Sequence, residues 1–238
     1  MKSTLLLAGA FAPLAFAKDL CEQYGYFSSD GYALNNNAWG KDSGTGDQCT
    51  HVNWANANGA GWDVDWNWSG GKDNVKSYPN SALLIGEDKK TISSITNMQS
   101  AAEWKYSGDN LRADVAYDLF TAADPNHETS SGEYELMVWL ARIGGVQPIG
   151  SMQTSVTIEG HTWELWIGMN GSMKVFSFVS PTEINNFNAD IKQFYDYLTK
   201  SENFPADNQY LLTFQFGTEP FTGDNAKFTV TNFNAHLK

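Results

Sequence analysis

Two glutamates stand where a charge is costly. Glu135 lies in Gly132–Leu140 (GEYELMVWL) and Glu219 in Gln215–Gly223 (QFGTEPFTG), both strand-like and rich in aromatics. A carboxylate is kept among apolar residues when it is paired or used. Two such carboxylates on facing strands of one sheet are the equipment for cleaving a glycosidic bond. Alternation decides what each would face. Glu133, Glu135, Met137 and Trp139 share one side, and Tyr134, Leu136, Val138 and Leu140 share the other. The second side is wholly apolar and must be core, so the first looks into solvent or a groove. There a carboxylate flanked by a thioether and an indole suits a sugar, although an ordinary solvated strand face would read the same way. Glu219 precedes Pro220, which restricts it to extended backbone at a strand end beside Gly217 and Phe221. A rim glutamate in a loop is the plainer account. Asp118, in Val115–Phe120 (VAYDLF), either bonds a neighbouring strand or sits beside Glu135 to orient it and tune its pKa.

These side chains need strands to hold them. In Gly61–Ser69 (GWDVDWNWS), Trp62, Val64, Trp66 and Trp68 fall on one face, and this period of two marks a half-buried strand. Asp114–Phe120, Glu133–Leu140, Ser155–Ile158, Trp163–Ile167, Lys174–Val179, Tyr210–Phe216 and Lys227–Phe233 read similarly, separated by Gly- and Asn-rich turns. One segment differs. Phe187, Ile191, Phe194, Tyr195 and Leu198 recur at helical spacing, with Asn185 or Asn188 as N-cap. Many short strands and one helix predict an all-β chain, a sandwich of two antiparallel sheets with the helix packed outside.

The 238 residues suit one domain. Lys2, the apolar stretch Leu5–Phe16 and the small-x-small site Ala15–Ala17 read as a signal peptide, residues 1–17, leaving a single domain over 18–238. A secreted, extracellular protein is expected. The net charge of −12 becomes −13 without Lys2, and disfavours nucleic acid and anionic lipid as partners. Cys21 and Cys49 are the two cysteines, and a lone pair in a secreted chain implies one disulfide. The four histidines lack metal-ligand spacing, so no metal is expected. The sequons at Asn67 (N-W-S) and Asn170 (N-G-S) are glycosylation candidates, Asn170 the better placed in a glycine turn. A G-x-S-x-G elbow, a P-loop and G-x-G-x-x-G are all missing, which counts against serine hydrolases and nucleotide or NAD enzymes.

With those residues placed, the chain resembles glycoside hydrolase family 12, particularly its fungal endo-β-1,4-glucanases. The resemblance spans the mature domain through Asn36–Gly40 (NNAWG), Trp66–Gly71 (WNWSGG), Val75–Tyr78 (VKSY), Val115–Ala123 (VAYDLFTAA), Tyr134–Leu140 (YELMVWL), Pro148-Ile149-Gly150 and Phe216–Gly223 (FGTEPFTG). It implies a jelly-roll β-sandwich with a concave substrate cleft, no cofactor, and retention of anomeric configuration. By the same resemblance Glu135 is the nucleophile, Glu219 the general acid/base, and Asp118 the residue that bonds the nucleophile. Trp39, Met137, Trp139 and Phe221 would line sugar subsites, and Cys21–Cys49 would match the family disulfide. Ala38 departs from the pattern, standing where relatives carry a larger aliphatic. Retention requires the two carboxyls about 5–5.5 Å apart, and Glu219 should hold the higher pKa. The rival inside the family is xyloglucan-specific hydrolysis, against which Leu140–Gly150 and Phe216 weigh by similarity. From another class, a wall-polysaccharide-binding protein would need the groove and its aromatics but not three carboxylates. The partner expected is a β-1,4-glucan, and a cleft enzyme with no obvious apolar patch should be a monomer.

Overall fold

The computed structural model describes residues 18–238, so the expected leader lies outside the described residues. The strands, in chain order, are β1 (Lys18–Leu20), β2 (Tyr26–Ser29), β3 (Tyr32–Asn35), β4 (Thr45–Asn56), β5 (Gly59–Ser69), β6 (Asn80–Leu83) and β7 (Gln99–Ala122). Next come β8 (Tyr134–Ile143), β9 (Ser151–Ile158), β10 (His161–Asn170), β11 (Met173–Val179) and β12 (Asn186–Asp190). Helix α1 (Lys192–Ser201) follows, then β13 (Tyr210–Leu211), β14 (Gln215–Gly217) and β15 (Pro220–Ala235).

One long strand makes two layers. The first half of β7 pairs with β12 and with most of β15, and its second half pairs with β8, β13 and β14. The change of layer falls at Gly108 (φ +142) and Asn110 (φ +53), where the ladder to β15 is irregular. The outer layer runs β1-β4-β5-β15-β7-β12, and the inner runs β2-β3-β6-β14-β7-β8-β11-β10-β9. Between them lie the buried Trp62, Val64, Trp66 and Phe228 of one layer and Tyr117, Leu136, Val138 and Phe216 of the other. The disulfide Cys21–Cys49 ties the segment after β1 to β4.

The antiparallel expectation meets one exception. β11 lies parallel to β8, with Glu135 opposite Val175 and Val138 opposite Phe178. Through β11 and β10, Ser151 at the start of β9 is level with Leu136, seven residues back from Ile143 at the end of β8. The connection between β8 and β9 must therefore travel back roughly 23 Å at about 3.3 Å per residue. Gln147, Pro148 and Ile149 of this strap line the inner sheet's open face. Gly150 (φ +90) lets it pack on β10, since a Cβ there would meet the Ile167 carbonyl at 2.0 Å.

The helix begins later than its periodicity suggests. Phe187 lies on β12, and Ile191, with no side-chain cap, precedes α1. Neither Asn185 nor Asn188 caps it; Asp190 Oδ1 accepts the Lys192 N–H at 3.1 Å instead. Phe194 packs on Trp163 and Phe178, so α1 covers the inner sheet from the core side. The strand expected at Tyr210–Phe216 is two short pieces, β13 and β14.

Candidate active site

The inner sheet gathers the carboxylates on its open face. Directly paired residues of neighbouring strands share a face. Glu135, Met137 and Trp139 pair with Phe120, Asp118 and Ala116 of β7, and Gln215 and Gly217 of β14 pair with Asp118 and Ala116 from the other side. Gly217 must be glycine, because a Cβ would meet the Pro79 carbonyl at 2.2 Å. Glu219 follows, between β14 and β15, as its place before proline predicts.

A fourth carboxylate, missed in the sequence, holds Glu219 in place. Asp114 is fully buried, and its Oδ1 accepts the Glu219 N–H at 2.9 Å while its own N–H donates to the Glu219 carbonyl at 3.3 Å. A relay stands behind it. Trp66 Nε1 donates to the Tyr106 hydroxyl (2.8 Å), Tyr106 meets Thr218 Oγ1 (3.3 Å), and Thr218 donates to the Asp114 carbonyl. Asp114 lies four residues before Asp118, and period two puts both on the cleft face. That spacing was the available signal.

The face is a cleft of two lobes. One, of about 540 Å³, is lined by Tyr24, Asn35, Tyr78, Asn80, Asp118 and Gln215 among others. The second, of about 340 Å³, is lined by Val75, Met137, Trp139, Gln147, Ile149 and Phe221. Glu135 and Glu219 line both. So does Trp39, which is 52 % exposed and offers a free ring. The other expected subsite residues do so far less. Met137, Trp139 and Phe221 are 5 %, 2 % and 6 % exposed and pack with Ala116, Val146 and Val179 as a small apolar cluster. They make cleft wall and leave little surface for a ring to stack on. Behind Phe221, the buried Lys76 ammonium donates to the carbonyls of Gly71, Asn74 and Phe221, pinning that wall. Ala38 is buried, and Phe216 lies in the core against Tyr117 and Phe233, so neither side chain reaches the cleft.

Four carboxyls packed together in a buried site cannot all be ionised. Burial first, and then the charge of Glu219, pushes Glu135 up to about 8. Burial also raises Glu219, partly offset by its side-chain hydrogen bond with Asp114. Asp118 is raised by burial, then by the charges of Glu135 and Glu219. Asp114 is raised by burial, then by the charge of Glu219. The higher pKa is expected on Glu219, but in the free protein burial raises all four carboxyls, Glu135 included. Asp114 Oδ2 and Asp118 Oδ1 are buried without a hydrogen-bond partner among the described residues.

This has a consequence for stability. Acids with a raised folded pKa keep protons that the unfolded chain, near pKa 4, gives up. Their stabilisation is full below that value and is lost as pH rises toward about 8, the position of Glu135. The thermal midpoint should fall between pH 5 and 8 by on the order of 5–10 °C. Asp114→Asn, which keeps the acceptor for the Glu219 N–H and does not titrate, should flatten the fall. Calorimetry at several pH values checks this, and identical slopes would refute it.

Elsewhere, His51, Asp63 and Asp65 come together on the outer layer. Lys227 Nζ sits 2.7 Å from Asp63 and 3.3 Å from Asp65, so this is an ion-pair network. Among the described residues no helix is long and apolar enough to cross a membrane.

Comparison with known proteins places the geometry in context. The family model for glycosyl hydrolase family 12 matches residues 30–238. The chain is 47 % identical to Endoglucanase A of Aspergillus kawachii, over the full length of both. It is 41 % identical to the xyloglucan-specific endo-beta-1,4-glucanase A of Emericella nidulans, over 98 % of this chain and 99 % of the relative. Among solved structures, the catalytic domain of Humicola grisea Cel12A in complex with a soaked thio cellotetraose superposes with TM-score 0.90 at 47 % identity, covering 93 % of this chain and 99 % of that one. Trichoderma harzianum Endoglucanase 3 gives 0.91 at 50 % identity, covering 95 % and 100 %.

Proposed function

The chain belongs to glycosyl hydrolase family 12, and from that premise we propose that its cleft cleaves internal β-1,4-glucosidic bonds by double displacement. One observation carries the reading: Glu135 and Glu219 line both lobes of an open cleft, so a polymer passing from one lobe to the other crosses both carboxyls. Glu219, protonated, donates to the leaving oxygen while Glu135 attacks C1 and forms a glycosyl-enzyme. Glu219 then takes a proton from the incoming water, whose oxygen displaces Glu135. Asp118, buried on the same face and paired with Met137 beside Glu135, is placed to orient that carboxylate once substrate is bound. Asp114 fixes the backbone from which Glu219 projects.

The substrate is a cellulose-like or mixed-linkage β-glucan, and the enzyme acts outside the cell as a monomer after removal of residues 1–17. Reducing-end release from mixed-linkage β-glucan, carboxymethylcellulose and xyloglucan tests this directly. Proton NMR of the first product should show the β-anomer, and the α-anomer would refute double displacement. Trp39→Ala should raise KM by about three- to tenfold, roughly 1 kcal/mol, and change kcat less. A fall in kcat with KM unchanged would remove Trp39 from the binding surface.

Xyloglucan-specific hydrolysis remains the second reading because 41 %-identical relatives carry that name. A faster rate on xyloglucan than on undecorated glucan would select it.

A further inference from the structure

Four residues line both lobes of the cleft: Trp39, Glu135, Glu219 and Asn170. The mechanism uses the two glutamates, and Trp39 offers a ring. Asn170 has no part in either role. It ends β10, pairs with Met173 across a two-residue turn at Gly171-Ser172, and is exposed. Gly171 has φ +60, so the turn is tight and projects from the sheet. The Asn170 carboxamide makes no hydrogen bond among the described residues, which leaves its Nδ2 accessible. The sequence Asn170-Gly171-Ser172 is an acceptor for N-linked glycan. Asn67 has the same motif in a different setting. It lies mid-strand, with its amide donating to Asp47 at 3.4 Å and accepting from the Asn225 N–H at 2.8 Å.

β10 is two strands from β8 through β11, so Asn170 stands roughly 10 Å from the Glu135 strand at about 4.8 Å per strand. Its register, through Met173, sets it two residues along the strand from Glu135, and a first sugar on Asn170 would rise from the rim of the cleft beside the point of cleavage. An undecorated glucan on the cleft floor would pass beneath it. A glucan with side chains needs the rim as well.

We infer that Asn170 carries an N-glycan that overhangs the cleavage plane, admitting bare β-1,4-glucan and hindering glucans with side chains. This rests on the reading of the chain as a secreted endoglucanase.

The test expresses the full chain in a fungal host beside Ser172→Ala, which destroys the acceptor motif. Ser172 lines neither lobe, and Asn170 is left in place. Glycopeptide mapping should find the Asn170 peptide modified in the wild type and bare in the variant. The ratio of kcat/KM on xyloglucan to that on mixed-linkage β-glucan should rise about fivefold or more in the variant, and the β-glucan value itself should change less than about twofold. Endoglycosidase treatment of the wild type should move the ratio the same way, independently of any effect of the substitution. An unmodified Asn170, or an unchanged ratio with the site occupied, overturns the inference while the endoglucanase reading stands. Failure of both glycoforms on every glucan overturns the endoglucanase reading, and this inference with it.

Discussion

Glu135→Gln is expected to lower turnover on β-glucan by on the order of 10⁴–10⁶-fold, with the fold intact. Glutamine keeps the shape of the side chain and can still sit opposite Phe120 in the ladder, but it cannot form the glycosyl-enzyme. Circular dichroism and the thermal midpoint verify folding. Glu219→Gln should fail differently. Its loss should be severe on glucan and much smaller on an aryl β-cellobioside, whose leaving group needs no proton. Azide sharpens the distinction. In Glu135→Gly it can enter from the nucleophile's side and give an α-glycosyl azide. In Glu219→Ala it should attack the glycosyl-enzyme from the opposite side and give the β product. Activity within tenfold of wild type in folded Glu135→Gln would end the assignment.

Removing the carboxyl of Asp118 should have the next largest effect. Asp118 is nearly buried, lies between Met137 and Gln215 in the sheet, and has a proton to give because burial and two neighbouring charges raise its pKa. Asp118→Ala should lower kcat by about 10²-fold, the scale seen when a partner that orients a reacting group is lost. Asp118→Asn keeps an N–H donor and should lose less than about tenfold. The pH profile separates donation from packing. In the wild type the donor disappears as Asp118 ionises, whereas the amide never titrates, so the alkaline limb should move upward in Asp118→Asn. Equal losses in both variants with an unshifted limb would reduce Asp118 to a packing role.

Much of this was legible along the chain because alternation is a strong signal where one face is apolar. Trp62, Val64, Trp66 and Trp68 are buried as their period requires, and Leu136, Val138 and Leu140 form core while Glu135 faces the cleft. The signal failed where inward residues are polar. β4 turns Gln48 and Thr50 inward to bond Asn36, so no apolar stripe marked it. It failed again at β7, where Ser107–Asn110 reads as a turn yet is where one strand passes between layers. Phe187 fitted the helical spacing by chance, and β pairing with Ala102 decided its conformation. Asp114 was less legible because its N-terminal flank, Leu111-Arg112-Ala113, carries a charge and no aromatic ring. Phe216 shows the limit of reading function from similar strings: by similarity it weighs against xyloglucan specificity, yet in the structure its ring is core.

The position of the last strand governs how this protein can be made. β15 holds the final sixteen strand residues, and it lies between β5 and β7 in the middle of the outer layer. Until Pro220–Ala235 leave the ribosome, β5 and the first half of β7 have no common neighbour, and the outer sheet is two unjoined fragments. Closure of the outer sheet must therefore wait for β15, and a chain lacking that strand exposes two long strand edges open to aggregation. Glu219 sits at the entrance to that strand. Catalytic competence is thus acquired at the closing step of assembly, and a partly folded chain is an inactive one.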